Sequence, residues 1–414
     1  MSCFTVYGGV PLSGSVPVYG AKNAILPILA ACIMTEEEVI LENCPHLSDV
    51  ENMLEILRLL GCEAVCMGSE IRLCAKHADS YEMPEALSKK MRSSIFMLGA
   101  LISRFGKAKV TQPGGCEIGL RPIDLHLKGL RALQVQINET HGEIHCDGTH
   151  ARGAEITLDY PSVGATENII MAAVTARGVT VLHNAAREPE VADLAQFINQ
   201  MGGRIEGAGT GTVKITGVEK LNGVRYAIMP DRIVAGTYLA AAAITGGNIT
   251  LTNICPAHLQ AAASKLQETG CEITFTQNSV HLLAPKRLCE MQKIETLPYP
   301  GFPTDLQAQF MAVACLCRGT CVISENVFEN RFKHAPELCR MGAKIQVKER
   351  TAVVRGGAPL FGAQVSAKDL RGGAALVIAG LAAEGKTVVE GKQFIDRGYE
   401  NLARELGALG AEIQ

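Results

Sequence analysis

Residues 112–127, QPGGCEIGLRPIDLHL, gather a thiol (Cys116), two carboxylates (Glu117, Asp124), a guanidinium (Arg121) and an imidazole (His126) around Pro113, Gly114, Gly115 and Gly119. Glycine and proline at that density predict an exposed, hinged loop, and reactive groups on such a loop are expected of an active-site lid. An arginine beside a thiol favours the reactive thiolate. Cations recur elsewhere in unusual places. Lys22 (in Gly20-Ala21-Lys22-Asn23), Arg92 and Arg371 stand where strongly apolar helices are predicted to begin, and a cation at a helix N-terminus opposes the macrodipole. A bound anion would reconcile them. Ser162, Asp231, Thr304 and Asp369 open other such helices as good N-caps. Two further polar stretches, 325–334 and 395–400, carry Arg331 and Arg397. Repetition of this pattern points to a polyanionic ligand.

These groups are positioned by a repeat. A helix end followed by a strand start recurs about every 70 residues, as LGCEAV at 60–65, LQVQI at 133–137, MGGRI at 201–205, TGCEI at 269–273, MGAKI at 341–345 and LGAEI at 409–413. Its second residue is Gly61, Gln134, Gly202, Gly270, Gly342 or Gly410, so Gln134 marks the imperfect copy. Ahead of each lies a helix that is apolar nearly all round and is therefore expected to be buried. The second helix of each unit is amphipathic, with Val50, Met53, Leu54, Ile56, Leu57 and Leu60 sharing one side in the first. Six α/β units could form one ring, an extended solenoid or two groups of three, and domain size favours two groups. A cleft between the halves is then the expected ligand site.

Composition narrows the function. The 414 residues carry a net charge of −3, with 20% charged and 47% apolar residues, no Trp, 8 Tyr and 11 Phe. That balance argues against disorder, nucleic-acid binding and membrane-surface binding. No apolar run approaches the ~20 residues of a membrane span, and no signal region is evident, so a cytoplasmic protein is expected. The 15 cysteines are scattered. Cys315, Cys317 and Cys321, like Cys62, Cys66 and Cys74, are expected to be packing residues and not metal ligands.

The segments GAKNAILPILAA (20–31), MRSSIFMLGAL (91–101), PGGCEIGLRPIDLH (113–126), PSVGATENI (161–169), NAAREPEVADLA (184–195), YPGFPTDLQAQFMA (299–312), VFENRF (327–332), DLR (369–371) and IDRGYE (395–400) closely resemble the UDP-N-acetylglucosamine 1-carboxyvinyltransferases, collinearly over essentially the whole chain. The resemblance implies an α/β fold, a two-domain inside-out α/β barrel built from six βαβαββ repeats. It implies a first domain over 21–229 carrying the catalytic loop 112–127, a second domain of 1–20 plus 230–414, and an active site between them.

The implied reaction moves the enolpyruvyl group of phosphoenolpyruvate to the 3-hydroxyl of UDP-N-acetylglucosamine, opening peptidoglycan synthesis. By match to the family's motifs, Cys116 is the proton donor and can form a covalent adduct, and Asp305 is the base. Lys22, Asn23, Arg121 and Arg397 bind phosphoenolpyruvate, with Lys22 and Arg397 also counted as catalytic. Asn23, Arg92, Arg121, Pro122, Ile123, Asp124, Leu125, Ser162, Val163, Gly164, Asp305 and Val327 hold the nucleotide sugar, and Arg331, Asp369 and Arg371 support them. No metal, cofactor, nucleic acid or membrane is implied, and a monomer is expected. The antibiotic fosfomycin alkylates the family's cysteine, so sensitivity follows. The chain departs from the family at Val234 (usually glutamate), Phe394 (commonly histidine), Asp159-Tyr160 (no lysine) and Gln134-Val135 (a Gly-Ala pair). Rival readings are 5-enolpyruvylshikimate-3-phosphate synthase and a non-catalytic nucleotide-sugar-binding paralogue.

Overall fold

The computed structural model describes residues 3–83, 85–88, 92–111, 119 and 122–414, with the side chains of residues 85, 86 and 92 excepted. Among them the chain divides into two compact units, one of 3–19, Gly119 and 230–414, the other of 20–111 and 122–229.

Each unit is built around three helices whose side chains are apolar on nearly every face. In the 20–229 unit these are α1 (Lys22–Cys32), α2 (Met97–Phe105) and α3 (Val163–Ala173). In the other they are α4 (Arg232–Thr245), α5 (Gln307–Leu316) and α6 (Leu370–Ala382). Every residue of α4 from Ile233 to Ile244 is buried. With no polar stripe to turn toward water, such a helix is stable only when enclosed.

The sheets around them repeat one order. Val39–Glu42 runs parallel to Val224–Ala227 and antiparallel to Glu70–Cys74, which pairs with Glu63–Met67. Three more sheets copy it, centred on Val179–His183, Asn248–Thr252 and Thr320–Glu325. In the sheet of Lys107–Thr111, a single parallel bridge between Glu82 and Lys109 stands in for the fourth strand. The sixth sheet draws Cys3–Tyr7 from the chain's start to pair with Lys386–Glu390 and Glu412–Ile413.

Local sequence would place Ser13–Pro17, which leads into α1, beside Val39–Glu42. It instead lies parallel to Asn248–Thr252, and Val224–Ala227 takes the vacated place. The strands that should open the first and fourth repeats are exchanged.

The repeat's glycine has one physical reason. Gly61, Gly202, Gly270, Gly342 and Gly410 all have φ between 89° and 100°, and Gln134 has φ 65°. Each lies one residue past a helix cap, and in every copy the same two backbone bonds close the end, as Gly61 N–H to Arg58 O and Cys62 N–H to Leu57 O. This is the Schellman arrangement, whose left-handed residue favours glycine. Gln134 holds the conformation against its Cβ. Exchange Gln134→Gly is expected to stabilise the protein by about 1 kcal/mol, read as a higher urea midpoint at unchanged slope. A lower midpoint would mean that the glutamine side chain holds something in place.

A second repeated device follows the central strands. Asn43, Asn184 and Asn253 have φ of 57°, 53° and 54°. Their amides donate to Ile228 O (2.9 Å), Leu158 O (2.9 Å) and Val18 O (2.6 Å), tying each strand end to the segment after its parallel partner. Asparagine tolerates this region because its short amide bonds locally.

The cysteine expectation holds in part. Cys62, Cys315, Cys317 and Cys321 are buried, but Cys66 is exposed and Cys74 half-buried, because their strand lies at or next to a sheet edge. Among the described residues no group of His, Cys, Asp and Glu could hold a metal, and no helix is long and apolar enough to cross a membrane.

Candidate active site

In the 20–229 unit, Gly20 permits the entry to α1, since a Cβ there would meet Asn43 O at 2.0 Å. Two residues on, the Lys22 side chain is buried and its Nζ lies 2.7 Å from Asp49 Oδ2. Asp49 is itself buried in the first turn of the Ser48–Leu59 helix, where a carboxylate suits the dipole. The protein thus supplies an anion for the lysine, a partner the sequence reading missed. Asn23 is exposed beside it.

The Arg92–Phe96 turn packs on both α1 and α3, and the Asp124–Ala132 helix packs on α3. Ser162 caps α3 as expected, accepting from Ala165 N–H at 3.3 Å. Val163 and Gly164 are half-buried in that first turn, Pro122 and Asp124 are exposed, and Ile123 and Leu125 are half-buried. Burial pushes the Glu167 carboxyl of α3 well up, with Glu190 and Glu188 adding to the shift.

In the other unit, Asp305 is the hub. Its Oδ1 accepts from Arg331 Nη2 at 2.6 Å and its Oδ2 from Arg371 Nη2 at 3.4 Å. Both guanidiniums are buried, at 4% and 2% exposure, whereas the Asp305 side chain keeps 24%. Two cations therefore hold one carboxylate that solvent still reaches. Burial alone would weaken the Arg371 cation, but Asp305, Tyr399 and Asp231 outweigh it and raise its pKa. Arg331 also stacks over Phe328, 5.4 Å from the ring centre, and Arg371 over Tyr399 at 5.5 Å.

Asp369 and Asp231 cap α6 and α4 as expected. Thr304 does not cap α5. A short 3-10 turn, Thr304–Leu306, intervenes, and the Thr304 hydroxyl donates instead to Glu325 Oε2 at 2.9 Å. Glu325 also accepts from Val327 and Phe328 N–H, at 2.9 and 3.0 Å. One buried carboxylate thereby fixes Val327 relative to the Asp305 turn.

Arg397 is half-buried in the turn before the Leu402–Ala408 helix. Two residues on, Tyr399 OH meets Thr237 Oγ1 at 2.8 Å and accepts from Gln309 Nε2 at 3.2 Å. That links α4, α5 and the Arg397 turn behind the cluster. Burial pushes His334 down to about 4, with Asp369 opposing and Arg331 assisting. A neutral ring therefore stands near Arg331.

Of the residues singled out from the sequence, Cys116 and Arg121 lie outside the described residues, as does the side chain of Arg92. Lys22, Asn23, Pro122–Leu125 and Ser162–Gly164 fall in one unit; Asp305, Val327, Arg331, Asp369, Arg371 and Arg397 in the other. Sequence reasoning missed Asp49, Glu325, Tyr399, Thr237 and Gln309. Thr237 and Gln309 are polar within strongly apolar helices, and Glu325 and Tyr399 belong to the polar stretches 325–334 and 395–400, which was the available signal; Asp49, in an amphipathic helix, carried none.

Residues 6–406 match the family model for EPSP synthase (3-phosphoshikimate 1-carboxyvinyltransferase). Over 413 residues, covering 100% of this chain and 99% of the relative, the sequence is 54% identical to UDP-N-acetylglucosamine 1-carboxyvinyltransferase 2 of Caldanaerobacter subterraneus subsp. tengcongensis. The chain belongs to the UDP-N-acetylglucosamine 1-carboxyvinyltransferase family. A second member, from Myxococcus xanthus, is 48% identical over 417 residues, spanning 100% of this chain and 99% of its own. Among solved structures, the enolpyruvyl transferase NikO from Streptomyces tendae superposes with a TM-score of 0.88 at 25% identity, covering 100% and 98% of the two chains. An EPSP synthase from Acinetobacter baumannii gives 0.78 at 18% identity, covering 100% and 99%, and so shares the fold. Family membership makes this an enolpyruvyl transferase fold of six repeats and the chain a transferase.

Proposed function

We propose that this chain transfers the enolpyruvyl group of phosphoenolpyruvate to the 3-hydroxyl of UDP-N-acetylglucosamine, releasing phosphate, as a cytoplasmic monomer that needs no cofactor or metal. The observation that carries this reading is the partly exposed Asp305 carboxylate held by two buried arginines at a helix start. A fixed carboxylate suits removal of a hydroxyl proton, and guanidinium forks suit phosphate and carboxylate.

The reaction has two stages. The thiol of Cys116 delivers a proton to the methylene carbon of phosphoenolpyruvate while Asp305 takes the proton of the 3-hydroxyl, and the sugar oxygen bonds to the central carbon. The Cys116 thiolate then takes back a proton from the methyl group of the tetrahedral adduct, the carbon–oxygen bond to phosphate breaks, and Asp305 gives its proton to the departing phosphate, releasing enolpyruvyl ether and phosphate and restoring both groups. Lys22, Arg121 and Arg397 neutralise the phosphate and carboxylate throughout, with Asn23 beside Lys22. Arg92, Arg121, Pro122–Leu125, Ser162–Gly164 and Val327 hold the nucleotide sugar. Arg331, Asp369 and Arg371 keep Asp305 and its helix start in place.

Phosphate release from phosphoenolpyruvate tests the reading. Release is expected only when UDP-N-acetylglucosamine is present, and it is expected to stop once fosfomycin has modified Cys116. Release with shikimate 3-phosphate in its place would transfer the chain to the 5-enolpyruvylshikimate-3-phosphate synthases. Nucleotide-sugar binding without release would make it a non-catalytic paralogue.

A further inference from the structure

Asn168, in the middle of α3, makes contacts that a buried helix does not need for its own stability. Its Oδ1 accepts from Gly99 N–H at 2.8 Å and its Nδ2 donates to Ile95 O at 3.0 Å. In an unbroken helix Gly99 N–H would donate to Ile95 O directly. The Asn168 amide is inserted into that one rung, where the 3-10 turn Arg92–Phe96 passes into α2. Only glycine fits at 99, because a Cβ would come 2.4 Å from Asn168 O.

Those two bonds fix which end of the amide is nitrogen. The remaining Asn168 N–H therefore donates to His126 Nδ1, 2.9 Å away, which must be the unprotonated nitrogen of the ring. His126 is buried in the first turn of the Asp124–Ala132 helix, and the opposite edge of its ring lies under Gly164. A Cβ on Gly164 would meet His126 Cε1 at 3.0 Å and Nε2 at 3.3 Å.

We infer that Asn168 and His126 are a positioning pair that sets the mutual placement of three segments: the turn bearing Arg92, the helix start bearing Asp124, and the Ser162–Gly164 turn. The inference rests on the proposed nucleotide-sugar role of those segments and extends it. One amide and one tautomer-locked imidazole register the nucleotide-sugar half of the site, without touching phosphoenolpyruvate chemistry.

The test uses the full chain and both KM values. His126→Phe keeps the ring's bulk but removes the acceptor; Asn168→Asp keeps the acceptor for Gly99 but removes both donors. Each is expected to raise KM for UDP-N-acetylglucosamine by about tenfold or more, with kcat and KM for phosphoenolpyruvate held within about threefold, since sub-ångström misplacement of binding groups costs on that scale. His126→Asn, whose amide oxygen can stand where Nδ1 stood, is expected to recover most of the loss. Equal rises in both KM values, an unchanged nucleotide-sugar KM in either variant, or no recovery with His126→Asn would overturn the pairing. Wild-type turnover that ignored UDP-N-acetylglucosamine would instead sink the functional reading, and this inference with it.

Discussion

The Asp305→Asn enzyme is expected to release phosphate about 10²–10⁴ times more slowly than wild type, the range typical of a lost general base. The amide keeps an oxygen to accept from Arg331, now at 2.6 Å from the carboxylate, so the fold should survive and the thermal midpoint should move little. Asp305→Ala leaves both buried guanidiniums without that carboxylate. Breaking a fully buried pair by removing one partner costs about 3–5 kcal/mol, and the 24% exposure of Asp305 reduces that here. The alanine variant should therefore be as slow as the asparagine variant and also melt earlier. Single-turnover phosphate release and scanning calorimetry separate the two effects. Turnover within tenfold of wild type for Asp305→Asn would remove this residue from the proton transfer.

Lys22→Ala is expected to be the other severe change, through two effects that can be separated. As a cation for phosphoenolpyruvate it should be worth a charge-assisted bond or more, so kcat/KM for that substrate should fall by about 10²-fold or beyond. As the partner of Asp49 at 2.7 Å, with side-chain exposures of 9% and 4%, its loss also strips a buried carboxylate of its lysine. That should lower stability by up to about 3–5 kcal/mol. Combining Lys22→Met with Asp49→Leu should restore much of the stability by making the site apolar, and none of the activity. If the double variant regained turnover, Lys22 would be a structural residue. If Lys22→Ala alone kept its kcat/KM, the assignment to phosphoenolpyruvate would fall.

Much of this arrangement was legible before any coordinates. The left-handed position after each second helix writes itself as glycine because any Cβ resists that backbone, and five of the six copies obey; Gln134 is also left-handed, at φ 65°, at a cost. Buried helices show themselves because a helix without a polar face cannot stand in water. The Asp231, Ser162 and Asp369 caps follow from local hydrogen bonding alone. Thr304 misled because an inserted 3-10 turn moved it off the cap and released its hydroxyl to a residue 21 positions away. The chemistry of Lys22, Arg371 and Asp305 was visible as residue type, but their partners were not. Asp49 for Lys22, Tyr399 for Arg371 and Arg331 for Asp305 approach from other elements, and no local spacing encodes such distances.

The amino-acid order by itself determined the sixfold unit, the enclosed helices and the set of reactive side chains, because turn sterics and hydrophobic pattern act over a few neighbouring residues. Only the tertiary structure decided which strand completes which sheet. Ser13–Pro17 and Val224–Ala227 are both short parallel strands that lead into a buried helix, and each could lie beside either centre. Their exchange is settled by pairing over more than 180 residues of chain, through hydrogen bonds whose local geometry is the same for both partners.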